Sequence, residues 1–207
     1  MSAVTRAFVA VFPPLAVREA IGARLETLAS PHDGVAWVRA VNLHFTLRFL
    51  GDLTSQRLEA ARHAVVATAS SKDRAPFRMS LGGTGAFPGP ARARVLWLGA
   101  REGATPLTLL AGALEAALVR EGFLRADRPF TPHLTLGRPR DPDGAGPAVA
   151  RFLAAEFPPA EFEVHEIVLV SSTLASGGSI YAPVATVALG GGRGGGAASG
   201  AARGPAA

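Results

Sequence analysis

The chain predicts an α+β protein with antiparallel sheets: two pseudo-symmetric lobes, each a sheet with helices packed outside it, around a central cleft. Three observations carry this. Strand-like segments come in adjacent pairs with single helix-like segments between them, which is neither a regular βαβα alternation nor an all-β order. The strand-like runs are bounded by Pro and Gly. The string His-x-Thr-Leu occurs twice, at His44-Phe45-Thr46-Leu47 and His133-Leu134-Thr135-Leu136, each inside a strand-like run with a comparable set of elements around it.

Residues 5–12 alternate weakly, are rich in Phe and Val, and read as a first strand ended by Pro13-Pro14. Residues 15–28 carry Leu15, Ile21, Leu25 and Leu28 at helical spacing. Residues 35–38 and 42–50 read as two strands, the second ended by Gly51-Asp52. Thr54 is placed to cap a helix running to about residue 68. Residues 77–81 and 94–98 are strand-like, and the Gly/Pro-rich stretch 82–90 between them reads as a turn. Residues 107–120 form the clearest helix pattern, with Gly122 as its C′ residue. Residues 132–138 form the strand with the second string. A Pro/Gly-rich loop at 141–147 then leads to a short helix at 148–155. Residues 162–174 and 180–189 read as two long strands in a hairpin around Gly177-Gly178. One bilobal domain is therefore expected over residues 1–189. Residues 190–207, made only of Gly, Ala, Arg, Ser and Pro, are expected to be a disordered tail.

Composition narrows the class. With 207 residues and 48% hydrophobic content the chain can bury a core, and charged or turn residues interrupt every apolar run short of a membrane span. The first residues lack the separate basic, apolar and cleavage regions of a signal peptide. There is no cysteine, hence no disulfide framework and no thiolate metal site. A soluble, cytoplasmic monomer with no membrane partner is the expectation. The net charge is +5, and Lys72 is the single lysine. An arginine-rich chain of this kind permits a polyanionic partner without requiring one.

On a strand, residues i and i+2 share a face. Each string therefore aims one imidazole and one hydroxyl into the same space, while Phe45, Leu47, Leu134 and Leu136 face the other way. Two imidazoles and two hydroxyl donors in one cleft are an inventory for acid–base chemistry on a phosphate ester. One such string alone reads as an ordinary strand histidine beside a β-forming threonine; the pairing carries the weight. Zinc held by His44 and His133 is not expected, because no His-Glu-x-x-His helix or carboxylate cluster completes the ligand set. No cofactor is called for. His32 reads as a loop residue, His63 as part of a solvated helix face, and His165 as a strand residue with no partner motif. The glycines from Gly82 to Gly85 lack the lysine and following helix of a phosphate loop.

The segments Leu43-His44-Phe45-Thr46-Leu47-Arg48-Phe49-Leu50-Gly51 and Pro132-His133-Leu134-Thr135-Leu136-Gly137-Arg138 resemble the paired signatures of the 2H phosphoesterases. Within them the chain is most similar to the bacterial and archaeal RNA 2′,3′-cyclic phosphodiesterases, historically called 2′-5′ RNA ligases. The likeness extends to Arg6-Ala7-Phe8-Val9-Ala10, to Gly85-Ala86-Phe87-Pro88, to Val95-Leu96-Trp97-Leu98-Gly99, and to the spacing of Ser172, Leu174, Gly178 and Tyr181. The resemblance implies metal-independent hydrolysis of a terminal 2′,3′-cyclic phosphate on RNA to a 2′-phosphate. It also implies His44 as proton donor and His133 as proton acceptor, an order that nothing in the residues themselves sets. Thr46 and Thr135 would then hold the non-bridging phosphate oxygens. Two arginines compete as a further ligand: strand parity with His44 and Thr46 favours Arg48, while Arg138 has the opposite parity to His133 and Thr135 unless Gly137 introduces a bulge, and the resemblance favours Arg138. Phe87, Trp97 and Tyr181 are placed either to stack on a terminal base or to fill the core. Alternatives with the same residues are action on another cyclic nucleotide or on 2′-5′ linkages, including the reverse ligation, and a non-catalytic module that binds RNA ends.

Overall fold

The computed structural model describes residues 4–141, 146–176 and 178–191. These residues form nine strands and four α-helices. The strands are β1 (Thr5–Val11), β2 (Val35–Trp37), β3 (Phe45–Leu53), β4 (Phe77–Phe87), β5 (Val95–Glu102), β6 (His133–Pro139), β7 (Glu161–Val164), β8 (Glu166–Ala175) and β9 (Gly178–Ala188). The helices are α1 (Leu15–Leu28), α2 (Ser55–Ala69), α3 (Ala104–Arg120) and α4 (Gly146–Leu153). Of the tail expected to be disordered over residues 190–207, residues 192–207 lie outside the described residues, as does Gly177 of the expected hairpin.

All the pairings are antiparallel, and the strands run in the order β7-β4-β5-β6-β3-β1-β8-β9, with β2 added on β6. The expected lobes are the two four-strand halves of this order, so they share one curled sheet. The seam is the pair β3–β6, where Phe45 faces Leu134. Both side chains are fully buried. A single pair at the seam lets the halves splay, which opens a cleft on the face opposite the core.

The core forms where the helices cover the sheet. On α3 the residues Leu107, Leu110, Ala111, Leu114, Ala117 and Leu118 keep helical spacing and are all buried. Thr54 caps α2, its Oγ1 accepting from the Arg57 N–H at 3.3 Å. Gly122 follows α3 with a φ of 78°, the left-handed value that suits a C′ glycine. Strand parity separates two apolar groups on β1. Ala7, Val9 and Val11 enter the main core, while Phe8 and Ala10 join Val168 and Val170 in a smaller cluster with Phe12 and Tyr181.

Three elements depart from the sequence pattern, each for a backbone reason. Gly51-Asp52 does not end β3: Gly51 takes a φ of 75° beside a bulge against β1, and the strand continues to Leu53. The glycines at 82–85 are not a turn but part of β4, which bulges between Leu81 and Thr84 with Gly83 at a φ of 76°. Gly85 must lack a side chain because the Trp97 indole of β5 lies across it. The segment read as one strand over 162–174 is two strands broken at His165, whose carbonyl accepts from the Leu189 N–H at 2.7 Å. The break is needed because β7 pairs with β4 in one half and β8 with β1 in the other.

Candidate active site

The seam dictates which side chains meet. Phe45 and Leu134 point into the core, so their sequence neighbours His44, Thr46, His133 and Thr135 point into the cleft. Carried one residue either way, the same register sets His44 across from Thr135 and Thr46 across from His133. Each half thus places its imidazole beside the other half's hydroxyl.

Both imidazoles are anchored alike. His44 Nδ1 lies 2.6 Å from the Asn42 carbonyl, and His133 Nδ1 lies 2.7 Å from the Thr131 carbonyl, in each case the residue two before. A carbonyl oxygen only accepts, so each Nδ1 carries its hydrogen and each Nε2 is left for chemistry. His44 is packed between aromatic rings: Phe8 stacks on it at 4.7 Å, Phe12 lies at 5.5 Å, and Tyr181 meets it edge-on at 5.4 Å. Among the described residues His133 has one such neighbour, Phe87, edge-on at 5.2 Å. Phe87 is itself 5.2 Å from Trp97, whose indole Nε1 is buried without a hydrogen-bond partner among the described residues.

This packing sets the electrostatics. Burial pushes the His44 pKa from 6.5 down to about 4; the Asn42 carbonyl opposes this, and the charges of Arg138 and His133 add to it. Burial also lowers His133, against the Thr131 carbonyl and with help from Arg138. One arginine therefore acts on both imidazoles, and the charge of His133 acts on His44. Without a bound anion, both are favoured in the neutral form.

A cavity of about 420 Å³ opens here, walled by His44, Thr46, Thr135, Arg138, Phe8 and Tyr181, among others. His133 is not part of that wall; it stands on the neighbouring strand across from Thr46. Among the described residues, no three His, Cys, Asp or Glu side chains come together as a metal site requires.

The structure separates the two arginines, in the opposite sense to simple strand parity. On β3 the register against β1 slips between Thr46, which faces Ala10, and Arg48, which faces Val9. That bulge turns Arg48 to the helix side, where its Nε lies 3.3 Å from Glu115 Oε2 and its Nη2 donates to the Leu124 carbonyl at 2.7 Å. On β6 the register against β5 slips between Thr135 and Gly137, which brings Arg138 back to the cleft face. Phe87 and Tyr181 lie against the imidazoles, and Tyr181 also walls the cavity. Phe8 and Phe12 belong to the site as well, although the sequence analysis assigns them no role; both share the parity of Ala10, Phe8 on β1 and Phe12 just past its end.

Comparison with known proteins identifies the family. The model of the 2′-5′ RNA ligase superfamily matches residues 13–174. The chain is 36% identical over 192 residues to a protein of Aquifex aeolicus named RNA 2′,3′-cyclic phosphodiesterase, covering 91% of this chain and 99% of that one. A protein of the same name from Escherichia coli is 34% identical, again over 91% and 99% of the two chains. The crystal structure of E. coli LigT complexed with 3′-AMP superposes with a TM-score of 0.70 at 30% identity, covering 90% of this chain and 99% of that one. The complex of the same protein with phosphate gives 0.67 at 29% identity over 91% and 99%. With the family model matching most of its length and relatives this similar along nearly all of theirs, the chain belongs to the 2′-5′ RNA ligase superfamily.

Proposed function

We propose that the chain is an RNA 2′,3′-cyclic phosphodiesterase, which opens the terminal cyclic phosphodiester of RNA to a 2′-phosphate by two-histidine acid–base catalysis without a metal. The observation that carries this reading is the pair of imidazoles, one from each half, each held through Nδ1 by the carbonyl two residues before it. Such anchoring leaves the Nε2 of each ring free, and a phosphate binder with no turnover needs donors but not two titratable nitrogens. The names of the relatives support the substrate class.

Opening the ring requires an activated water on one side of phosphorus and a protonated leaving oxygen on the other. His133 Nε2 takes the proton of the attacking water as the P–O bond forms. The bond from phosphorus to O3′ breaks, and O3′ takes a proton from His44 Nε2, leaving the phosphate on O2′. The cycle ends with His133 charged and His44 neutral, so proton exchange with solvent resets the site. Thr46 and Thr135 donate hydroxyl hydrogen bonds to the non-bridging oxygens, where charge grows in the transition state. Arg138 offsets the diester charge from the cleft face.

The donor order follows the family resemblance, and the free site leans against it. His44 is the imidazole held to about 4, so it is the harder one to charge in the empty enzyme. The anionic phosphodiester offsets this: a negative charge near the rings raises both pKa values and lets one proton stay.

The family description favours one further reaction of the same site. If a ribose 5′-hydroxyl replaces water as nucleophile, the same P–O3′ bond breaks and a 2′-5′ linkage forms. Hydrolysis and ligation thus differ only in what His133 deprotonates.

The test is hydrolysis of an RNA oligomer ending in a 2′,3′-cyclic phosphate, in chelator, by the wild type and by His44→Ala and His133→Ala. A 2′-phosphate product from the wild type and its loss in both variants is the expected result. Full activity in either variant overturns the mechanism. Tight binding without product returns the chain to a module that binds RNA ends, and preferred turnover of a free cyclic nucleotide changes the substrate.

A further inference from the structure

The cleft continues beyond the phosphate cavity. A second, wider groove of about 750 Å³ shares Thr46 and Phe49 with it as common wall. One bank of this groove is the face of α3 that carries Thr108, Gly112 and Glu115, and the other is the segment 125–130 leading to the second motif. Its volume lies in the range that encloses a drug-sized molecule, enough for about one to two nucleotides. The segment is held in place from below, since Ala126 N–H donates to Glu115 Oε1 at 2.6 Å and Arg48 bridges Glu115 and the Leu124 carbonyl.

We infer that this groove binds the RNA chain on the 5′ side of the cyclic-phosphate nucleotide, with Arg125 and Arg128 contacting its phosphates. The inference rests on the proposed function and extends it from a terminal group to a polynucleotide. Arg125 and Arg128 are exposed, line the groove and have no ion pair among the described residues. Guanidinium groups without a carboxylate partner are what a phosphate backbone recruits. Asp127 is the acidic residue on that bank, against Arg125 and Arg128, so the bank stays net positive. At the lip shared by the two cavities, the Phe49 ring is 49% exposed with the Arg6 guanidinium 4.7 Å from its centre, a surface on which a base can stack.

The competing route leaves the phosphate cavity on its other side, past Asn42 and Tyr181, into a hollow of about 380 Å³. It is less suited to a polyanion. Its Arg18 already donates to the Pro13 and Val41 carbonyls, and its Arg39 faces a wall that also carries Glu166.

The experiment compares kcat/KM for 2′,3′-cyclic AMP with that for a ten-residue RNA ending in a 2′,3′-cyclic phosphate, and measures binding of a fluorescein-labelled RNA of the same length by anisotropy. The wild type is expected to favour the oligomer. In Arg125→Glu/Arg128→Glu the oligomer-to-mononucleotide ratio should fall about tenfold or more, and the slope of log affinity against log salt should shrink by about 1.4, two single-strand contacts at about 0.7 each. Gly112→Trp should lower the same ratio without changing charge, because a Cβ at Gly112 meets nothing within 4 Å and the indole would stand in open groove. Arg39→Glu should leave the ratio near the wild-type value. A ratio and anisotropy unchanged in both groove variants overturn the inference, as does a fall seen in Arg39→Glu instead. If the wild type turns over neither substrate, the proposed function fails, and the anisotropy alone decides the groove: lost binding in the charge-reversed variant upholds it and unchanged binding overturns it.

Discussion

Phe45 and Leu134 face each other across the seam of the sheet, and that one antiparallel pair decides which four polar side chains share the cleft. Their buried side chains are the pivot of the site: whatever tilts one strand against the other moves an imidazole relative to the opposite threonine. Leu134→Ala is expected to cost about 2–5 kcal/mol, since it leaves a cavity in a fully buried position. Chemical denaturation measures the cost, and kcat in the still-folded variant should fall as well, because the seam would no longer hold His133 in register.

Loss of either imidazole should reduce kcat by about 10²- to 10⁴-fold, the usual contribution of a positioned acid or base. The two losses should be far from additive in His44→Ala/His133→Ala, because the proton donor and acceptor serve the same transition state. Single-turnover kinetics on a cyclic-phosphate oligomer, with circular dichroism to check folding, gives both results.

Stability should depend on pH through His44. Its pKa is about 4 in the folded protein against an ordinary 6.5, so the unfolded chain takes up the proton first as pH falls. Stability from the neutral ring is complete above pH 6.5 and is lost between 6.5 and about 4, at up to about 1.4 kcal/mol per pH unit. Thermal melts across that window should show the slope in the wild type and a shallower one in His44→Leu.

The pH dependence of catalysis should separate the free enzyme from the complex. kcat/KM reports the free enzyme, where both imidazoles are held low, and kcat reports the complex, where the phosphodiester anion raises them. The alkaline limb is therefore expected at higher pH in kcat than in kcat/KM. Coincident limbs would mean that bound substrate does not charge the donor. The limbs belong to the coupled pair rather than to either residue alone.

The two arginines should give opposite signatures. Arg138→Ala should lower kcat/KM about 10- to 100-fold, the loss of a charged hydrogen bond of about 1.5–3 kcal/mol, and should raise the pKa of both histidines, whose charged forms it now disfavours. Arg48→Ala should act on stability, by about 1–3 kcal/mol, because it removes the cation beside Glu115 Oε2 and the donor to the Leu124 carbonyl. Its effect on cyclic-mononucleotide turnover should be much smaller than that of Arg138→Ala. NMR titration of the histidines and urea midpoints distinguish the pair.

The sequence by itself determined the α+β class and the limits of α1, because apolar spacing and Pro13-Pro14 are local signals. It also determined that each His and Thr two residues apart point the same way, because the alternation of a strand holds over so short a step. Past that distance the alternation failed twice. Bulges after Thr46 and after Thr135 turned Arg48 away and Arg138 in, and a bulge is decided by the strand next door, β1 for one and β5 for the other. The same dependence carried β3 through Gly51 and β4 through Gly82 and Gly83, and it split the last long run at His165 to serve two halves of one sheet. Nor could the order of residues show that Phe8, Phe12 and Tyr181 would enclose His44 while Phe87 would meet His133. The depression of the histidine pKa values is a property of burial, and burial exists only once distant segments have packed together.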